Sequence, residues 1–393
     1  MRPIRIRTIT LSDLREGTTP VNFLERFIAV MEYKGSDRVP NWECGVWEQT
    51  KDRWVREGLN PAAFHWDWIL GEEALDMDPR EYVYFDSEML PRFDYTVLEN
   101  DQHTTTYRDS LGRVRRTLTD GASHGMSMSM DNFLEFPVRT WEDWQNLRTR
   151  FDPRDPRRRE PQWLVTRVNG WKQRIHPLIF GTKYAPPGFY WHGRDLMGTE
   201  GLSFALFEQP KLIHDIIETR LALLIEGARP VLEQTTIDYV ILSEDMSMKT
   251  GPLLSPEMYR EYIYPRMKRL VEYLKSHGTR YVAIDTDGNP EALIPLLLDA
   301  GVDALWPCER AADQDPVRLR KKFGRSLRLW GGVDKRVLAQ GPRAIDEHLR
   351  ALAPLIEEGG FIPTVDHMVP PDVSWSNFQH YMRQKSALLA GTL

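Results

Sequence analysis

The sequence predicts an α/β fold in which eight parallel strands alternate with helices and close as a (β/α)8, or TIM, barrel with an antiparallel hairpin insertion. Three observations predict it. Short β-branched or apolar runs alternate with amphipathic segments through the second half of the chain. Three earlier runs of the same kind bring the strand candidates to eight. Acidic residues and a histidine recur where these strands end, the face on which a parallel barrel gathers its chemistry.

Taken in order, RVPNWEC (38–44), EYVYFDSE (81–88) and HPLIFGTKY (176–184) supply the first three strands. Residues 92–119 break the rhythm: RFDYTVLEN, HTTTYRD and RVRRTLTD read as short antiparallel strands, with SLG turning between the last two, so this stretch is expected as an insertion over the barrel mouth. Pro210–Gln234 has apolar residues at helical spacing and reads as a long helix, with Gly227 or Pro230 as a point of breakage. DYVILSED (238–245) is the fourth strand, followed by a helix over 255–278 with Ser255 and Pro256 as its start and Gly278 as its stop. RYVAIDTDG, DALWPCE, LRLWGGVD and GGFIPTVDH complete the eight. Between them lie helices beginning near Pro290, around DPVRLRKKFG and over Ala344–Glu358, and a closing helix spans Ser374–Ala390. The expected organisation is one domain over residues 1–393, without internal repeats.

The composition suits this reading. Of the 393 residues, 41% are hydrophobic and 27% charged, enough apolar material for a large core. A net charge of −6 argues against a general nucleic-acid surface, and the basic run Arg154–Arg159 reads as a solvated face. The opening MRPIRIRTITLSDL has no apolar stretch followed by a small-residue cleavage site, and no later run is long and apolar enough to span a bilayer, so a cytoplasmic protein is expected. Cys44 and Cys308 are too few for a disulfide framework and read first as buried thiols.

Candidate chemistry sits at the strand ends. Strand one offers Trp42 and Glu43, strand four Glu244 and Asp245, strand five Asp285 and Asp287, strand six Cys308 and Glu309, strand seven Asp334, and strand eight Asp366 and His367. Asp285 and Asp287 are two apart on a strand and point the same way; such carboxylates share a proton, pair with a cation or bind a metal. The competing reading is that one caps the next helix and the other meets a basic side chain. With Glu309 and His367 they make a mixed carboxylate and imidazole set that can hold Zn²⁺ with an open position, Cys308 being a further donor. Asp287, Glu244, Asp245 and His367 are the candidates for catalysis. Trp42, Glu43, Tyr190, His192 and Asp334 are those for substrate contact, the aromatic stretch FYWHGRDLMG offering a wall for a flat molecule. GGVDKR (331–336) lacks the pattern of a phosphate loop, and no GxSxG elbow is present.

The segments SEDMSMKTGPLLSPEMYREYIYPRMKRL, AIDTDGN, LRLWGGVDK and GGFIPTVDHMVPPDVSWSNFQHY, between Ser243 and Tyr381, resemble the uroporphyrinogen decarboxylase family in its broad sense, which includes cobalamin-dependent methyltransferases and O-demethylase subunits. NFLERFIAVMEYKGSDRVP and FYWHGRDLMGTEGL fit more loosely. The decarboxylases proper carry an arginine-rich N-terminal motif, and PNWECGVWEQT does not resemble it. Thiol-activating methyltransferases of the family place a His-x-Cys pair and a later Cys as zinc ligands, where this chain has Asp285, Asp287 and His367. Carboxylates in place of thiolates leave a metal more electrophilic, which suits activation of an ether oxygen.

The resemblance therefore implies transfer of a methyl group from a small methoxylated or methylated compound to the cobalt of a corrinoid. That corrinoid would be carried by a separate protein, because the nearest match to a cobalamin-binding signature, DEHLRA (346–351), has no glycine and falls in a predicted helix. Two other readings stand beside it: a cofactor-free decarboxylase in which Asp287 or Asp245 stabilises a cationic intermediate, and a non-catalytic binding protein on the same barrel.

Overall fold

The computed structural model describes residues 21–64, 75–119, 131–159, 161–181 and 186–393. The reading of the first fourteen residues lies outside these, as does the end of the run predicted over 176–184. Seven strands form one all-parallel sheet in sequential order: β1 Glu81–Val83, β2 Leu178–Phe180, β3 Tyr239–Ser243, β4 Tyr281–Asp285, β5 Ala304–Trp306, β6 Arg328–Trp330 and β7 Phe361–Ile362. Both faces are covered, as the continuous apolar runs require: every residue of β3 is buried. Alternation divides them. Ile179, Ile241, Ala283, Ala304, Trp330 and Ile362 share one cluster with Phe27 and Trp42, whereas Val240, Leu242, Val282 and Ile284 turn to the helices.

The expectation of eight strands is corrected to seven among the described residues. Residues 38–44 form no ladder, and just beyond them Val46 makes an isolated parallel bridge to Val369. Asn41 and Glu43 are drawn into side-chain bonds instead: Asn41 Nδ2 donates to the carbonyl of Asp76 at 2.9 Å and Glu43 accepts from Val365 N at 2.8 Å.

The helices follow their sequence signals closely. Ser255 Oγ accepts from Met258 N at 3.2 Å with Pro256 in the first turn, and Gly278 ends the run at φ +92°. Between these the helix is interrupted by a π turn at Tyr259–Ile263. The helix Pro210–Leu232 runs through both suspected break points. The basic run departs from expectation: Arg158 is buried and donates to the carbonyls of Asp152, Asp86, Glu88 and Arg150.

The insertion is larger than predicted. Thr96–Asn100, Thr104–Arg108 and Val114–Leu118 pair as expected, and Asn132–Glu135 adds a fourth strand beyond residue 119, making a separate antiparallel sheet. It leans on the helix Phe189–Glu208 at two points. Arg113 pairs with Asp195. Phe136 packs where Gly198 (φ +74°) breaks the helix, in the space a Cβ would need. Among the described residues no helix is long and apolar enough to cross a membrane.

Candidate active site

The C-terminal ends of β3 to β7 bring five carboxylates into one electrostatic neighbourhood: Asp245, Asp285, Asp287, Glu309 and Asp366. The parallel register makes these strand ends equivalent, Asp285 lying beside Ser243 and Trp306. Ser243 Oγ donates to Asp285 Oδ2 at 2.6 Å. Burial, then the charge of Asp287, hold the Asp285 carboxyl well above the usual carboxylate range.

Asp287 is the outermost of the set, with 42% of its side chain exposed. Its carboxyl is pushed up to about 7, by desolvation first and then by the charges of Asp245 and Glu309, with Lys335 pulling the other way. His367 Nε2 lies 3.6 Å from Asp287 Oδ2. Burial and then the charge of Lys335 push the imidazole down to about 4. Near neutral pH the histidine is therefore uncharged, and Asp287 is divided between acid and carboxylate. The indole of Trp47 lies over the His367 ring, centroids 6.1 Å apart.

Two of the four candidate metal ligands are engaged elsewhere. Asp285 is held by Ser243. Glu309 accepts from Gly288 N at 3.0 Å and from Lys335 Nζ at 3.3 Å. Gly288 has φ +76°, and a Cβ there would meet the Ser247 carbonyl oxygen at 2.6 Å, so glycine permits the backbone crossing that aims its N–H at Glu309. Cys308 is buried, its thiol directed at the Leu305 carbonyl and pushed up to about 12 by burial. Among the described residues no three His, Cys, Asp or Glu side chains are grouped so as to hold a metal ion.

The remaining candidates divide sharply. Glu244 is fully buried and serves as the N-terminal anchor of the helix Phe189–Glu208, accepting from Phe189 N at 2.9 Å and Tyr190 N at 2.7 Å. Burial lifts its carboxyl to about 7 although these amides and Arg220 oppose the shift. Asp245 adopts a left-handed φ of +37° and is clamped by Arg194, whose Nη1 reaches both its carbonyl and Oδ2 at 2.6 Å. Asp334 caps the short helix Lys335–Leu338 and pairs with Arg336.

Four expected substrate contacts are core residues. Trp42 is packed among Phe27, Tyr239 and Trp330, with the Arg80 guanidinium 4.4 Å above its ring. Glu43 forms a fully buried ion pair with Lys385 at 2.6 Å and accepts from Tyr381 Oη. His192 lies edge-on to Phe151, and Tyr190, in the first turn of the helix Phe189–Glu208, is buried. The strand-end rule misplaced Trp42 and Glu43 because an aromatic or acidic residue at a strand end can turn inward, whereas FYWHGRDLMG, expected as a loop, is the start of a helix that buries Tyr190 and His192. The rule passed over Lys335, Arg194 and Trp47, which lie within the segments GGVDKR, FYWHGRD and CGVWEQT, because basic and aromatic residues there carry no distinguishing spacing.

A family model described as uroporphyrinogen decarboxylase (URO-D) matches residues 135–385, from the last insertion strand into the closing helix. No curated protein sequence matches. Among solved structures, a methyltransferase from Methanosarcina mazei is similar over 93% of this chain and 98% of its own, with a TM-score of 0.53 at 15% identity. A B12-independent methionine synthase from Shewanella sp. W3-18-1, solved in complex with selenomethionine, is similar over 60% of this chain and 67% of its own, with a TM-score of 0.38 at 13% identity.

Proposed function

The chain belongs to the uroporphyrinogen decarboxylase family, and from that premise we propose that it transfers a methyl group from a small methoxylated compound to the cobalt of a corrinoid carried by a separate protein. The observation that carries this reading is the Asp287–His367 pair: a partly exposed carboxylic acid with an affinity for its proton near 7, facing a neutral imidazole. Breaking a methyl ether sends the C–O electron pair to oxygen, so the departing alkoxide or phenoxide needs a proton. Asp287 supplies it. His367 orients the acid and, being neutral, does not compete as a cation. Trp47, stacked on His367, offers an apolar wall for a flat substrate.

The family implies a zinc ion here, and the arrangement does not fit one as it stands. Asp287 and His367 approach each other, but Asp285 gives Oδ2 to Ser243, and Glu309 gives its two oxygens to Gly288 and Lys335. No segment of the chain is assigned to holding the corrinoid: His348, the histidine of DEHLRA, lies within the helix Pro342–Glu358 and accepts from Asp334 N at 3.1 Å.

Decarboxylation of a carboxylated ring is the less favoured reading, because the strand ends gather carboxylates, whose charges oppose a carboxylated substrate. The test is incubation with a reduced corrinoid protein and a panel of methoxylated aromatics. Methylation of the corrinoid with release of the demethylated product supports the reading. Carbon dioxide release from a carboxylated tetrapyrrole, with no transfer from any donor, overturns it, and turnover of neither leaves the binding-protein reading.

A further inference from the structure

We propose that the positive charge beside the departing oxygen is the Lys335 ammonium, which stands where a metal ion would otherwise be needed. The reaction it serves is that of the methyl-transfer reading above, and its position is set by Glu309. That carboxylate gives Oε1 to Lys335 Nζ at 3.3 Å and Oε2 to Gly288 N at 3.0 Å. A metal ion drawing on Glu309 would have to break one of these bonds and would meet the ammonium at close range.

The position of Lys335 is fixed from its backbone. Its N–H donates to Asp366 Oδ1 at 3.0 Å, and Asp366 Oδ2 accepts from Arg310 N at 2.8 Å, so one buried carboxylate ties the turn after β6 to the turn after β5. The neighbouring Arg336 is directed onto Asp334 at 2.7 Å. The Lys335 side chain, 21% exposed, thus lies among Glu309, Asp366, Asp287 and His367, and its charge acts on both members of the Asp287–His367 pair. An ammonium has three N–H donors, and Glu309 takes one. Among the described residues Nζ makes no other hydrogen bond, and the two further donors are offered to a substrate oxygen. As the methyl carbon leaves, the electron pair of the C–O bond collects on that oxygen. Lys335 stabilises the charge while remaining protonated, and the proton that completes the hydroxyl comes from Asp287.

The experiment compares the wild-type protein with Lys335→Ala and Lys335→Arg, each purified without chelators or a metal-affinity tag and verified as folded by circular dichroism. Zinc content and calorimetric zinc titration are measured beside methyl transfer. The wild type is expected to hold less than stoichiometric zinc. Removing the ammonium in Lys335→Ala frees Glu309, so zinc affinity should rise at least about tenfold, while kcat falls about 100-fold or more. Lys335→Arg should retain part of the activity and gain no zinc. Stoichiometric zinc in the wild type whose removal abolishes transfer overturns the proposal, as does a Lys335→Ala variant with unchanged zinc affinity. A wild type that transfers methyl from no donor sinks the methyl-transfer reading alone, since the zinc titration still decides whether Lys335 or a metal occupies this place.

Discussion

His367 Nε2 lies 3.6 Å from Asp287 Oδ2, and the two groups are displaced in opposite directions, the carboxyl up to about 7 and the imidazole down to about 4. Both shifts favour the neutral form, and both have burial as their first cause. The contact is therefore that of an acid with a neutral base rather than of two ions over much of the range between these values.

This fixes the sign of a pH dependence. If Asp287 protonates the departing oxygen, transfer requires its acid form, which persists below about 7 and disappears above it. The rate at saturating substrate should be level on the acid side and fall about tenfold per pH unit on the alkaline side. Asp287→Asn should lower kcat by about 100-fold or more and remove this alkaline limb, with an unchanged circular dichroism spectrum. A limb that survives in Asp287→Asn assigns the ionisation to another group.

His367→Ala should act through the same pair without touching the core, since about a third of the His367 side chain is exposed, 32%. It removes a polar neighbour of Asp287 and the platform beneath Trp47. The expected outcome is a loss of about tenfold or more in kcat/KM with little change in melting temperature. An unaltered kcat/KM would show that His367 does not take part.

Glu244, a catalytic candidate by its strand-end position, anchors a helix, so its variants should separate stability from chemistry. Glu244→Ala leaves the Phe189 and Tyr190 amides and the neighbouring Arg220 charge without their buried carboxylate. That should cost about 3 kcal/mol in urea unfolding. Gly188 reinforces the point, because a Cβ at that residue would collide with the Glu244 carboxylate. Gly188→Ala should destabilise in the same assay. Loss of activity with no loss of stability in Glu244→Ala would return this residue to the chemistry.

The strand order and the helix starts were legible because they follow from local chemistry: continuous apolar runs such as YVAID, and caps such as Ser255, Asp315 and Ser374. The acidic character of the site was legible for the same reason, as Asp285, Asp287, Glu309 and His367 all follow recognisable strands. What could not be read was which way each strand-end side chain turns. Glu43 and Trp42 stand at a strand-end position in the sequence, but Lys385, 342 residues further on, draws Glu43 into the interior. Glu244 is turned under Gly188 by amides of the helix Phe189–Glu208. The fourth insertion strand escapes the sequence pattern because Asn132–Glu135 is short and without alternating burial, and among the described residues it pairs with Val114–Arg116. Long-range partners decide these cases, and single-sequence spacing does not contain them.

The pair Glu43–Lys385 offers the clearest contrast with the site. Both side chains have no exposed surface, Glu43 Oε1 also accepts from Tyr381 Oη, and Lys385 Nζ donates to the Trp42 carbonyl at 2.5 Å. Burial lowers the proton affinity of Lys385, with the Glu43 charge opposing it. Removing one partner strands the other charge, so Lys385→Met and Glu43→Gln should each cost about 3–5 kcal/mol, and the double variant less than the sum. Activity per folded molecule should stay near that of the wild type, because neither group is among the carboxylates around Asp287 and His367. The measurement is urea unfolding paired with kcat on the folded fraction. Additive destabilisation would show that the two charges act independently, and a specific loss of kcat/KM in Glu43→Gln would restore Glu43 as a substrate contact.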